Sequence, residues 1–240
     1  MARFPDAEIF ETRKIQFKNP IVLAGFVGAG LVGPIAINHI IAKTGMVEIG
    51  VMRSRYLPPS TVFMKGRLRH PFRFYANPEG TMCAIICEIT LKMEGLYCLV
   101  SSILDWAAQN GSREIVILDG VASQSHDGRA YCAAEEDLVR TMQDKDISMI
   151  PQGFITGIPG GILTECLTRE IRGLTLLAHA NKEAPDSVAA ATLIEALNRF
   201  YEMDIDTAGL RENKERIHEE FGELSQRYAE HREETSGMYM

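Results

Sequence analysis

The chain has 240 residues, of which 46% are hydrophobic and 24% charged, a composition able to bury a sizeable core, which excludes disorder throughout. Its 25 Lys and Arg stand against 32 Asp and Glu, for a net charge of −7, so no summed positive field exists to gather the phosphates of a nucleic acid or an anionic membrane. Met1-Ala2-Arg3-Phe4-Pro5-Asp6 has no apolar leader stretch and no later run approaches the roughly 18–20 apolar residues that cross a bilayer, so a cytoplasmic location is expected.

The spacing predicts alternating strands and helices. Ile21 to Phe26 is a continuous apolar run of strand length, and Leu31 to Lys43 follows at helical length, closed by Gly45. Met46 to Met52 reads as a second strand. Val62 to Lys65 with Phe72 to Tyr75 reads as a hairpin-like pair ending at the turn sequence Asn77-Pro78-Glu79-Gly80. Cys83 to Ile89 reads as a buried strand. Leu96 to Gln109 carries Leu96, Leu99, Val100, Ile103, Leu104 and Ala107 at three-and-four spacing, an amphipathic helix ended by Asn110-Gly111.

Glu114 to Leu118 then enters the sheet, and the polar stretch Asp119 to Arg129 is a candidate functional loop. Ala130 to Ile150 gives no clear pattern. Gly157-Ile158-Pro159-Gly160-Gly161 introduces a helix from Ile162 to about Arg172, followed by a strand from Leu174 to Ala178. Pro185-Asp186 supplies a start signal and cap for a helix over Ser187 to Met203. A last, highly charged helix carries Leu210, Ile217, Phe221, Leu224 and Tyr228 as one narrow seam, to be buried on the domain body or on a neighbouring chain. Beyond Tyr228 the sequence is polar until Ser236-Gly237, then reads Met238-Tyr239-Met240, a segment expected to be mobile.

Several constellations invite a chemical reading. Gly25, Gly28, Gly30 and Gly33 frame G-x-G-x-x-G between a strand and a helix, where such glycines either let amides approach a phosphate or let the helix pack tightly. The acid that would hold a ribose is misplaced, since Glu48 lies within the predicted second strand rather than at its tip. The second glycine turn, Thr156 to Gly161, lacks the Lys-Ser/Thr ending of a phosphate loop. Ser123-Gln124-Ser125-His126-Asp127 gathers hydrolytic residue types, yet adjacent residues cannot form one relay, and no nucleophile elbow is present. His39 and His179 have no second ligand at metal spacing, and Cys83, Cys87, Cys98, Cys132 and Cys166 read as free thiols in apolar segments. No catalytic set, metal or cofactor is expected.

At the other end, a hydrophobic residue, a tyrosine and a final residue offer a carboxylate for a lysine or an amide nest, an amphipathic ring and an apolar anchor. From Tyr228 the remaining 12 residues could extend about 40 Å at ~3.3 Å per residue.

These segments together resemble the archaeal homologues of the proteasome assembly chaperone family. The likeness covers roughly residues 15 to 205. It rests on the turn GFVGAGLVG from Gly25 to Gly33, the strand IVILDG from Ile115 to Gly120, ITGIPGGIL from Ile155 to Leu163, and LTLLAHA followed by a Pro-Asp helix start. Met238-Tyr239-Met240 resembles the hydrophobic-Tyr-X tail by which proteasome activators dock between α-subunits of the 20S particle.

The resemblance implies a three-layer α/β/α sandwich with a largely parallel or mixed sheet, kin to phosphorylase and peptidyl-hydrolase folds. It also implies self-association and a non-enzymatic partner of 20S α-subunits, in assembly or activation. Residues 1–205 would form the α/β domain, 206–235 the charged amphipathic helix and 236–240 the flexible docking tail. The rival reading is an enzyme binding a nucleotide or anion on the amides of Gly28 and Gly30 with the polar loop at Ser123 to Asp127.

Overall fold

A computed structural model of the chain describes residues 6–64, 66–123, 127–182, 184–222 and 226. In chain order its strands are Glu8–Glu11 (β1), Ile21–Phe26 (β2), Val47–Arg53 (β3), Val62–Met64 (β4), Arg67–Arg69 (β5), Phe72–Ala76 (β6), Met82–Cys87 (β7), Glu114–Ala122 (β8), Ala130–Ala134 (β9), Ser148–Met149 (β10) and Gly173–Ala180 (β11). The helices are Val32–Lys43 (α1), Leu96–Gln109 (α2), Glu136–Gln143 (α3), Gly157–Thr168 (α4), Ser187–Tyr201 (α5) and Ala208–Glu212 (α6). A 3-10 turn, Ala29–Leu31, precedes α1, and helical turns resume over 214–222.

Nine strands form one mixed sheet in the order β1-β3-β6-β7-β2-β8-β11-β9-β10, while β4 and β5 make a separate hairpin. The centre, β7-β2-β8-β11, is parallel. Antiparallel pairs flank it through β6 and β3 on one side and β9 on the other. Helices cover both faces, which is why all six residues of β2 are buried and why its sequence reads as an unbroken apolar run rather than an alternation.

Alternate residues feed two cores. Leu23, Val116, Leu118 and Leu176 pack under α1 and α5, whereas Val22, Ala24, Ile115 and Ile117 pack under α2 and α4. The second core contains an aromatic chain in which Phe26 meets Phe72 edge-on, Phe72 stacks on Phe74, and Phe74 meets Trp106 at 5.3 Å between ring centres. This three-layer arrangement is the α/β/α sandwich expected from the sequence.

Local chemistry sets the element ends. The Asp186 carboxylate accepts from the Ala189 amide at 3.0 Å, capping α5, and from the Asn181 amide at 2.9 Å, which ties the end of β11 to the same cap. Pro159 sits in the first turn of α4, where its missing N–H has no intrahelical partner to lose.

Several expectations need correction. β4 pairs with β5 around Gly66 (φ 74°) rather than with the strand at Phe72, because that glycine closes a tight turn within 62–69. β6 instead pairs with β3 and β7 inside the main sheet. β8 runs on to Ala122, so Asp119 to Ala122 belong to a strand zipped to β11 and not to a loop. α4 begins at Gly157, five residues before the predicted start at Ile162. The last helix is interrupted at Asn213.

Leu210, Ile217 and Phe221 are buried in the first core, so this part of the charged helix lies on the domain body. His39 and Lys43 of α1 hold the approach to it. The Asp206 carbonyl oxygen lies 2.7 Å from His39 Nε2, and Lys43 Nζ stands 2.6 Å from the Asp206 carboxylate. Leu224, Tyr228 and Met238-Tyr239-Met240 lie outside the described residues. No helix among the described residues is long and apolar enough to cross a membrane.

Candidate functional site at the carboxyl ends of the central strands

The carboxyl ends of parallel strands are where α/β sheets open towards ligands, because the chain leaves each strand in a loop there and adjacent loops diverge. At that edge the protein has a cleft of about 1090 Å³. One wall is the turn Val27-Gly28-Ala29 after β2 and the segment Ile89 to Met93 after β7. The opposite wall is Gln152 to Pro159, leading into α4, and the floor is Asp119 to Val121 with Leu177.

The register explains the floor. Asp119 lies opposite Leu177 and Val121 opposite His179, so alternate residues of β8 and β11 present one face towards the cleft side of the sheet. Asp119 follows the buried run Ile115 to Leu118, and its carboxylate is the first polar group the strand offers at its tip. Its Oδ1 accepts the Gly120 amide at 2.7 Å. Among the described residues it has no ion pair, and burial pushes its pKa up to about 7, with the Gly120 amide pulling the other way.

The glycines singled out in the sequence divide by position. A Cβ on Gly33 would stand 2.6 Å from the Leu118 carbonyl oxygen, and one on Gly25 would stand 2.5 Å from the Gly33 carbonyl oxygen, so this pair brings α1 onto β2 and β8. Gly30 adopts φ +62° and accepts the Asp186 amide through its carbonyl at 2.8 Å, which joins the turn to the start of α5. Gly28 lines the cleft, and a Cβ there would collide with the Asp119 carboxylate. A phosphate on the Gly28 amide would therefore lie against an acid with no cation paired to it among the described residues, which disfavours the anion-binding reading.

The second glycine turn, Thr156 to Gly161, supplies Thr156 and Gly157 to the opposite wall, so both turns visible in the sequence converge on one cleft. The hydrolytic-looking string does not. Gln124, Ser125 and His126 lie outside the described residues. Asp127 stands apart from the cleft, 3.3 Å from His179 Nδ1, and accepts a short hydrogen bond from the Tyr131 hydroxyl. Among the described residues no group of three or more His, Cys, Asp or Glu could hold a metal ion. Cys87 lines the cleft as a thiol that burial pushes up to about 12, far from a thiolate nucleophile at neutral pH.

Sequence reasoning reached Asp119 only as the first residue of a candidate loop and not as the tip of β8, and it missed the Ile89 to Met93 wall and Phe154, which is fully exposed at the rim. The available signal was an acid placed directly after a four-residue apolar strand run.

Residues 22–225 match the PAC2 family, a span that takes in most of the chain. The chain belongs to the PAC2 family. Among solved PAC2-like folds, a protein of unknown function from Thermoplasma acidophilum is 32% identical, with a TM-score of 0.84 and 91% of each chain covered. PbaA from Pyrococcus furiosus, an archaeal homolog of proteasome-assembly chaperone, is 23% identical with a TM-score of 0.83, covering 94% of this chain and 99% of that one. PbaB from the same organism, an archaeal proteasome activator, is 21% identical with a TM-score of 0.78, covering 91% of this chain and 98% of that one. The two Pyrococcus likenesses speak to the shared PAC2 fold.

Proposed function

We propose that this chain is a non-enzymatic proteasome-binding protein, an assembly chaperone or activator, that docks Met238-Tyr239-Met240 into pockets between α-subunits of the 20S particle. The observation that carries the reading is the pairing of a PAC2 domain with a hydrophobic-Tyr-X sequence at 238–240. Structural neighbours described as a proteasome-assembly chaperone homolog and a proteasome activator support it. Chemically, the tyrosine ring fills an amphipathic slot and a carboxylate takes a charge-assisted bond from a lysine or an amide nest. Self-association of the domain would present several such segments together, and tethering makes every contact after the first intramolecular.

The test is a pull-down of purified 20S particles with the full chain, with a chain truncated after Gly237, and with Tyr239→Ala. Binding by the full chain and its loss in both variants, with circular dichroism unchanged, is the expected result. Equal capture by all three overturns the docking role of 238–240.

A further inference from the structure

Beyond the proteasome, the cleft at the strand tips has the makings of a binding site of its own, and its lining is selective about what would enter. Its walls are dominated by apolar side chains, among them Phe26, Ile89, Leu91, Ile155, Ile158 and Leu177. Its volume of about 1090 Å³ lies just above the roughly 300–1,000 Å³ range typical of small-molecule sites. The charged residues lining it are Asp119 on the floor and Lys92, which is exposed to solvent. The Asp119 carboxylate accepts one amide, from Gly120, and no cation among the described residues stands against it.

A carboxylate left without a counter-ion on the floor of an apolar cleft favours a positively charged hydrogen-bond donor that brings its own apolar body. An anion is repelled, and a neutral apolar guest leaves the acid unpaired. We infer that the cleft binds a ligand in which a primary ammonium group is joined to an apolar chain or ring, with the ammonium on Asp119 and the apolar part between the Ile89 to Met93 wall and the Phe154 to Pro159 wall. Such a group occurs in free hydrophobic amines and at the amino terminus of a peptide whose first side chain is apolar.

The test measures binding to the full chain by isothermal titration at pH 8, using phenethylamine, 2-phenylethanol and 3-phenylpropionate as probes of matched body and different head. A Phe-Leu-Ala tripeptide amide and its N-acetylated form separate a peptide terminus from a free amine. Phenethylamine is expected to bind at least tenfold more tightly than the alcohol, and the propionate more weakly than either. Asp119→Asn removes the charge, and Gly28→Ala displaces it by placing a methyl against the carboxylate from an extended backbone (φ −156°) that alanine adopts freely.

Both variants are expected to weaken phenethylamine at least tenfold while leaving the alcohol unchanged, which also reports that the cleft remains folded. Tighter binding of the tripeptide than of phenethylamine, lost on acetylation, assigns the site to peptide termini; the reverse order assigns it to free amines. The inference is overturned if phenethylamine fails to bind, if the propionate equals it, or if both variants bind it as the parent chain does. None of these outcomes depends on 20S binding, so it stands or falls separately from the docking of residues 238–240.

Discussion

Arg73 and Glu88 form an ion pair at 2.7 Å with side chains 0% and 1% exposed. Arg73 reaches it from β6 and Glu88 from the residue after β7, a crossing made possible because these strands are antiparallel and Arg73 lies opposite Ile86. The surrounding donors and acceptors satisfy part of it and leave Arg73 Nη2 buried without a hydrogen-bond partner among the described residues. Arg73 donates to the His70 carbonyl at 2.7 Å and to the Tyr75 hydroxyl at 2.9 Å, while Asn38 of α1 donates to Glu88 at 3.1 Å.

Removing one partner strands a dry charge. Arg73→Met is therefore expected to destabilise the fold by about 3–5 kcal/mol, and adding Glu88→Met is expected to recover more than half of that loss. Urea denaturation of the single and double variants measures it; a double variant no better than the single would show that the pair's surroundings, and not its unpaired charge, set the cost.

Asp119 makes stability depend on pH in a defined direction. Burial raises its pKa from the ordinary carboxylate range to about 7 in the folded chain, so between about pH 4 and 7 the folded state binds the proton more tightly than the unfolded state. Its contribution to stability accordingly falls as pH rises through that window and levels off above it. Asp119→Asn keeps an acceptor for the Gly120 amide without the charge. The variant should exceed the parent by about 1–2 kcal/mol at pH 8, after discounting for partial exposure, and match it near pH 4. Denaturation at the two pH values decides, and equal stability at pH 8 would refute the assignment.

Gly33 and Gly222 make a matched pair of substitutions. A methyl on Gly33 meets the Leu118 backbone oxygen at 2.6 Å, whereas one on Gly222 has nothing within 4 Å among the described residues. Gly33→Ala should cost about 1–3 kcal/mol through forced separation of α1 from the sheet. Gly222→Ala should be neutral or stabilising by up to about 1 kcal/mol. Thermal melts order the two, and the reverse order would contradict the close approach of α1.

The cysteines should separate by reactivity. Burial pushes Cys83, Cys87 and Cys166 up to about 12 and raises Cys132 as well, whereas Cys98 on α2 is only half-buried. Since the thiolate is the reactive form, an aromatic disulfide reagent at pH 8 should modify Cys98 in a fast phase of a single equivalent and reach the rest only on unfolding. Cys98→Ser should erase the fast phase. Its persistence would place another thiol at the surface.

The central architecture was readable because parallel strands covered on both faces leave unbroken apolar runs. β2 and α2 fall where Ile21 to Phe26 and Leu96 to Gln109 predicted them. The edge strand β1 was invisible because Glu8-Ile9-Phe10-Glu11 is mostly exposed and owes its conformation to pairing with β3. α4 started early because Gly157, Gly160 and Gly161 lower helix propensity while close packing favours them; a Cβ on Gly161 would press on Val100 of α2 at 2.9 Å. The cleft was legible only in pieces. Gly28 and Gly157 stood out as turns, but that they face one another depends on β8 lying between β2 and β11, a long-range pairing that no local pattern encodes.

The two outermost strands differ in kind, and both resist lateral growth. On one border Glu8 and Glu11 bracket Phe10, over which the Arg53 guanidinium lies 5.4 Å from the ring centre, and on the other β10 is only two residues long. Neither rail gives an incoming strand a long, uncharged template, so crowded copies of this protein are guarded against fibre formation. Association between them is steered towards side-chain surfaces and away from backbone ladders.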